Sequence, residues 1–246
     1  MRIAVISDVH GNLGALTAVL ADIDRRGVDQ VVDLGDKLSG PLFPAETADL
    51  MMDREIVHIA GNHERQLLEL PVERMGMSDR IAHAALTPRH RDWLSSLPAQ
   101  RALADGDIWL CHGIPGSDRT YFLEEVGTWG CRPADPALVA ARAGTVEASV
   151  ILCGHSHLQR AVRLSDGRLV VNPGSVGLQA YRDDHLFLHQ NEMGSPHARY
   201  CVLERARGTW AVTMVELAYD WDAAADLAAS RGADGWVQAL RTGRVG

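Results

Sequence analysis

Apolar positions in this chain recur in two rhythms that alternate along its first sixty residues. Residues 2–7 form a short β-branched run, the pattern of a strand buried on both faces. After Gly11 and Asn12, apolar residues return at Leu13, Leu16, Val19, Leu20 and Ile23. That spacing predicts a helix with one face on a sheet, and Gly27 suits its end. Residues 30–34 read as a second strand, 45–53 as a second helix and 55–60 as a third strand. Strand and helix in strict alternation predict parallel strands joined by helical crossovers.

The middle of the chain is more helical. Residues 64–70 and 78–86 carry helical spacing, and a further helix opens at Thr87 as N-cap with Pro88 as its first residue. A strand pair is expected at 101–103 and 107–111, and residues 117–127 have helix-like spacing. After a short helix at 136–143 come a strand at 150–153 and a hairpin of 159–164 with 169–172 around Ser165, Asp166 and Gly167. Residues 181–195 show no clear period and read as a long loop. Two alternating strands follow at 198–205 and 209–217, then amphipathic helix between 220 and 240. With no repeat, low-complexity tract or linker, the expectation is one domain over residues 1–246. Its class is α/β: a four-layer αββα sandwich of two mixed β-sheets flanked by helices.

Composition narrows the function. With 24 Lys plus Arg against 32 Asp plus Glu, the formal charge of −8 argues against strong nucleic-acid binding, which is mostly phosphate neutralisation. It leaves a nucleotide-sized substrate open. No apolar run approaches the roughly 18 residues that a membrane span needs. The N-terminus shows no signal-peptide pattern, and Cys111, Cys131, Cys153 and Cys201 lack C-x-x-C spacing. A cytoplasmic protein with reduced thiols is therefore expected, Cys111 and Cys153 buried at strand ends.

Chemistry-bearing residues gather where buried strands should end. They are Asp8-Val9-His10, Gly35-Asp36, Gly61-Asn62-His63-Glu64, His112-Gly113 and Gly154-His155-Ser156-His157. In open α/β sheets ligands bind beyond the carboxyl ends of the strands, so these segments should meet at one edge. A single histidine beside an apolar run is ordinarily a core residue, but five such segments in concert point to metal. Oxygen and imidazole donors suit divalent first-row ions, and seven candidates are about what two adjacent ions need. Two cations roughly 3.5–4 Å apart clamp the attacking and leaving oxygens of an in-line displacement, and a water bridging them loses its proton near neutral pH.

Together these segments resemble the five motifs of the calcineurin-like metallophosphoesterase superfamily: D-x-H, G-D, G-N-H-[DE], H and G-H-x-H, in that order. The run from Asn172 to Gly177 (Asn-Pro-Gly-Ser-Val-Gly) resembles the small bacterial phosphodiesterase branch. The resemblance implies a first metal on Asp8, His10, Asp36 and His157, and a second on Asp36, Asn62, His112 and His155. Asp36 would bridge them, and His63 would contact the phosphate and assist the leaving group. The implied cofactors are two divalent ions from manganese, iron, zinc or nickel, manganese foremost for activity. The implied substrate is a small phosphodiester or nucleotide, attacked by a metal-bridging hydroxide.

Departures from the superfamily matter as well. Its phosphoprotein phosphatases read G-D-x-x-D-R-G at the second motif, whereas this chain has Gly35-Asp36-Lys37-Leu38-Ser39-Gly40-Pro41 and lacks that Asp and Arg. Lys37, the only lysine, is read as solvated or structurally paired before it is read as a phosphate ligand. Arg119, Tyr121, Arg182 and His197 lie in loops that could border the site but read first as surface residues. Gly174 and Gly177 are read as glycines that admit tight backbone near it. The rival readings are a non-catalytic scaffold of the same fold, a nuclease, and a phosphomonoesterase or nucleotidase. An exposed edge in the C-terminal hairpin leaves a homodimer open.

Overall fold

The computed structural model describes every residue from Met1 to Gly246. In chain order the elements are β1 (Arg2–Ile6), α1 (Leu13–Arg26), β2 (Gln30–Asp33), α2 (Pro44–Met52), β3 (Ile56–His58) and α3 (Asn62–Glu69). Next come α4 (Met77–Ala85), α5 (Pro88–Ser95), β4 (Gln100–Leu103), β5 (Ile108–Cys111), β6 (Glu124–Gly127), β7 (Gly130–Pro133) and α6 (Pro136–Ala143). The remainder comprises β8 (Val150–Leu152), β9 (Arg160–Arg163), β10 (Leu169–Asn172), β11 (Ala180–Asp183), β12 (His189–Glu192), β13 (Ala198–Ala206), β14 (Thr209–Leu217), α7 (Trp221–Ser230) and α8 (Asp234–Thr242). No helix is long and apolar enough to cross a membrane.

Two five-stranded mixed sheets are stacked, ordered β14-β13-β1-β2-β3 and β4-β5-β8-β10-β9. Strands β1, β2 and β3 run parallel, and so do β5, β8 and β10; the flanking partners are antiparallel. The period-two rule shows in β1. Ile3 and Val5 face the inter-sheet core with Val32, Leu110 and Leu152, while Ala4 and Ile6 join the α1 face with Leu16, Val19 and Ile23. The outer face of the second sheet packs Ile151 and Val170 against Val139 of α6. Helices, two sheets and helices make the expected αββα order.

Local signals behave as read. Asn12 Oδ1 accepts from the Ala15 N–H at the start of α1, and Gly27 closes that helix in the left-handed conformation. Thr87 caps α5 with Pro88 as its first residue. Cys111 and Cys153 are buried free thiols.

Two expectations fail. Residues 117–127 form no helix; a loop leads into β6, which pairs with β7 in a separate two-stranded ribbon. The apolar spacing there comes from Phe122 and Leu123, which bury into the outer core of the second sheet from the bend that precedes β6. Residues 181–195 are not a plain loop but include most of the β11–β12 hairpin. Both ribbons lie outside the main sheets, so neither shows a strong two-residue rhythm.

Candidate metal centre

The parallel strands deliver their following residues to one edge. Backbone hydrogen bonds then lock the turns together: Asp8 N–H donates to Gly35 C=O, His10 N–H to Asp36 C=O, and Gly154 N–H to His112 C=O. Asp8, His10, Asp36, His155 and His157 all have φ between 51° and 68°, five of the nine non-glycine residues with positive φ in the chain. Left-handed backbone costs a residue with a Cβ on the order of 1 kcal/mol or more, and such strain collects where a site over-determines it. Here the strained residues are the candidate ligands themselves.

Their donor atoms form two groups. Asp8, His10 and His157 make one, Asp36, His112 and His155 the other, and within each the ligand atoms lie within 4.8 Å of one another. In the first group His10 Nε2 is 3.1 Å from His157 Nε2, and His157 Nε2 is 3.4 Å from Asp8 Oδ1. In the second, His112 Nε2 stands 3.1 Å from Asp36 Oδ2 and 3.1 Å from Asn62 Oδ1. Asn62 therefore joins the second group, beside the residues the sequence paired it with.

Three of these imidazoles are fixed in tautomer by backbone carbonyls. The Nδ1–H of His10 donates to Ser39 O at 2.7 Å, that of His112 to Leu34 O at 2.8 Å, and that of His157 to Leu178 O at 2.7 Å. A donor Nδ1 leaves the Nε2 lone pair for a cation, the arrangement that orients metal-bound histidines. Asp8 Oδ1 is buried without a hydrogen-bond partner. Converging lone pairs around an orphaned carboxylate oxygen are costly unless a cation or proton fills the gap, so the donor set fits divalent metal.

The electrostatics agree. Burial raises the Asp8 carboxyl, but His157 and His112 outweigh it and hold the group at about 2. Burial likewise opposes the Asp36 charge, yet His112, His63 and His10 keep it well below the usual carboxylate range. Burial lowers His112, but Asp36 and Asp8 draw it up to about 10, so a proton there occupies the place a cation would take. Burial and neighbouring imidazoles push His10 to about 4 and His155 to about 3. Both are neutral, as ligands must be.

His63 faces the same cleft from the start of α3, its ring 5.5 Å from that of His10. Its Nδ1–H donates to Asp79 Oδ1 at 2.8 Å, with Asp79 buried in α4. Burial disfavours the imidazolium, but Asp36 and Asp79 more than compensate and lift His63 to about 9. The cleft holds about 520 Å³.

Lys37 is not in that cleft. It is fully buried, with Nζ 2.9 Å from Asp33, 3.7 Å from Glu64 and 2.6 Å from Ile59 O. Glu64 in turn accepts the backbone N–H groups of Asp36, Lys37 and Gly61 at 2.7–2.8 Å. This network fixes the turns beneath the metal groups. Gly61 is demanded by space: a Cβ there would sit 2.3 Å from Asp36 Oδ1.

The run from Asn172 to Gly177 braces the centre from the other side. Ser175 Oγ donates to Asp8 O, and Asn172 Nδ2 donates to Gly154 O and Ser156 Oγ. A Cβ on Gly177 would fall 1.8 Å from Val9 O, so this glycine does admit close backbone, while Gly174 carries a positive φ of 77°.

Of the four residues read as loop borders, Arg119 and Arg182 line the cleft, Arg182 from strand β11 rather than a loop. Tyr121 is buried against His155, whereas His197 stacks near Trp221 and does not line the cleft. Sequence reasoning missed Asp79, Tyr181 and the part played by Glu64. Tyr181 donates its O–H to His155 O at 3.0 Å and lies 4.6 Å from the His157 ring. Nothing in the local sequence links Asp79 to His63; the contact arises from the packing of α3 against α4.

Comparison with known proteins adds a family. The family model for the calcineurin-like phosphoesterase superfamily domain matches residues 1–192. The crystal structure of a metallophosphoesterase from Sphaerobacter thermophilus superposes with a TM-score of 0.74 at 25% identity, over 98% of each chain. A hypothetical protein from Pyrococcus horikoshii has the same TM-score at 18% identity, again over 98% of each chain, and shares the fold. An uncharacterised protein of Methanocaldococcus jannaschii is 25% identical over 236 residues, 89% of this chain and 88% of its own.

Proposed function

Because the chain belongs to the calcineurin-like phosphoesterase superfamily, we propose that it hydrolyses small phosphodiesters or nucleotides at a two-metal centre. The observation that carries this reading is the pairing of two ligand groups with their Nε2 atoms turned inward. Asp8, His10 and His157 would hold one ion, Asn62, His112 and His155 the other, and Asp36 would serve both. Divalent cations there, manganese foremost, would supply Lewis acidity and an acidified water.

The chain's own residues supply the rest. His63, protonated and anchored by Asp79, presents an Nε2–H to the cleft, where it can neutralise a phosphoryl oxygen and return a proton to the leaving alkoxide. The backbone carbonyls of Ser39, Leu34 and Leu178 keep the rings of His10, His112 and His157 from rotating, and Tyr181 ties down the backbone of His155, so the donors stay aimed as charge develops.

The balance of charge favours a diester. The only lysine is sequestered beneath the site, and apart from His63 the lining cations are Arg119 and Arg182. A monoester dianion brings more charge to be matched than a diester monoanion. The test is the manganese-loaded protein on bis(p-nitrophenyl) phosphate and p-nitrophenyl phosphate. Metal-dependent turnover with the higher kcat/KM on the diester is expected. A monoester preference would replace this reading with a phosphomonoesterase, and no turnover of either with metals bound would favour a scaffold.

A further inference from the structure

A phosphate entering the metal cleft meets few fixed positive charges. The second motif carries no arginine, and Lys37 is sealed between Asp33 and Glu64. Two arginines line the cleft, Arg119 and Arg182. They are held differently. Arg182 is exposed on β11, donates to Gly246 O at 3.4 Å, and is followed by Asp183 and Asp184, which line the cleft with it.

Arg119 belongs to the loop between β5 and β6, which begins at the candidate ligand His112. That loop is anchored on both sides of the arginine. Asp118 accepts a two-pronged ion pair from Arg65 of α3, at 2.7 Å and 3.0 Å, and α3 is the helix that opens with Asn62 and His63. Tyr121 sets its ring 5.0 Å from that of His155 and its hydroxyl 2.7 Å from Tyr181 Oη. Within the loop, Ile114 and Ser117 pair through their backbones, and Ser117 Oγ accepts the Arg119 N–H at 3.3 Å. The Arg119 backbone is thus tied to the elements that carry the second ligand group. Its guanidinium donates to His185 Nδ1 at 3.1 Å and forms no ion pair, whereas Arg65 nearby is neutralised by Asp118. An uncompensated guanidinium keeps its remaining N–H groups for an anion, and its planar fork matches two phosphate oxygens.

We propose that Arg119 is the phosphate-binding arginine of this chain, gripping non-bridging oxygens of the substrate from the loop after His112. The effect on turnover rests on the phosphodiesterase reading; the grip on phosphate does not.

The probe is inorganic phosphate, titrated calorimetrically into the manganese-loaded protein, with turnover of bis(p-nitrophenyl) phosphate measured alongside. Arg119→Ala should weaken phosphate binding about tenfold, the scale of one charge-assisted contact. KM for the diester should rise by a similar factor while manganese content and Tm keep their parental values. Arg119→Lys should recover part of the loss, because a point charge restores the attraction but not the fork. Arg207→Ala removes the same charge from the β13–β14 turn, which the antiparallel pairing of β13 with β1 places at the sheet edge away from the ligands. It should leave phosphate binding unchanged. A phosphate affinity in Arg119→Ala within about twofold of the parent would overturn the assignment. So would an equal loss in Arg207→Ala, a larger loss in Arg182→Ala, or no phosphate binding by the parent. If phosphate affinity depends on Arg119 but the diester is not cleaved, the arginine keeps its role and the phosphodiesterase reading fails by itself.

Discussion

Replacing Lys37 by Met separates a structural lysine from a substrate-binding one. The side chain is fully buried between Asp33 and Glu64, which are themselves fully buried. Methionine fills similar volume but leaves two carboxylates without their cation, and breaking a buried pair costs about 3–5 kcal/mol. For a chain of this size each kcal/mol corresponds to about 2–4 °C, so Tm should fall by about 6–20 °C. Glu64 also holds the N–H groups of Asp36 and Gly61, so metal affinity should weaken alongside. Thermal denaturation followed by circular dichroism, with and without manganese, measures both effects. A variant that melts within about 1 kcal/mol of the parent but shows a raised KM would refute the argument and return Lys37 to the substrate.

Three further outcomes follow from named contacts. His63→Ala should lose about 10²–10⁴ in kcat while keeping its metal, and Asp79→Asn should move the alkaline limb of the pH–rate profile to lower pH, because Asp79 favours the His63 imidazolium. Metal loss in His63→Ala, or an unmoved limb, would remove the roles given to this pair. Burial lifts the Glu124 carboxyl from 4.5 to about 7, so the folded chain holds that proton more tightly than the unfolded one. Its stability contribution is intact below pH 4.5 and is lost as pH rises through 7. Glu124→Gln should therefore stabilise by about 3 kcal/mol at pH 8 and by nothing at pH 4.5, read from denaturant melts at both; a gain equal at both pH values would contradict the cause. Gly177→Ala should destabilise by up to about 3 kcal/mol and lower metal content, because its Cβ strikes Val9 O. An unchanged Tm would mean the loop has room that its geometry denies.

The sequence made the candidate ligands legible for a physical reason. Parallel strands such as β1 and β8 are buried on both faces, so their apolar runs are unmistakable, and polar residues just beyond them must lie at the sheet edge. The ribbons over the cleft offered no such rhythm. β12 reads His189-Gln190-Asn191-Glu192, with no β-branched residue, because it pairs only with β11 and belongs to neither main sheet. Asp79 was invisible for another reason: its importance lies in the His63 ring that it meets across the packing of α3 against α4. Conversely, Lys37 was conspicuous in sequence as the only lysine, yet it is buried beneath the turns and touches no part of the cleft.

Under the proposed function Asp8, His10, Asp36, Asn62, His112, His155 and His157 would hold two ions, with Asp36 serving both. Metal content after manganese saturation and dialysis, measured by inductively coupled plasma mass spectrometry on the parent and on Asp36→Ala, addresses it most directly. Two ions per chain are expected in the parent, and the loss of at least one in the variant. One ion or none in the parent, or both retained in Asp36→Ala, would contradict it.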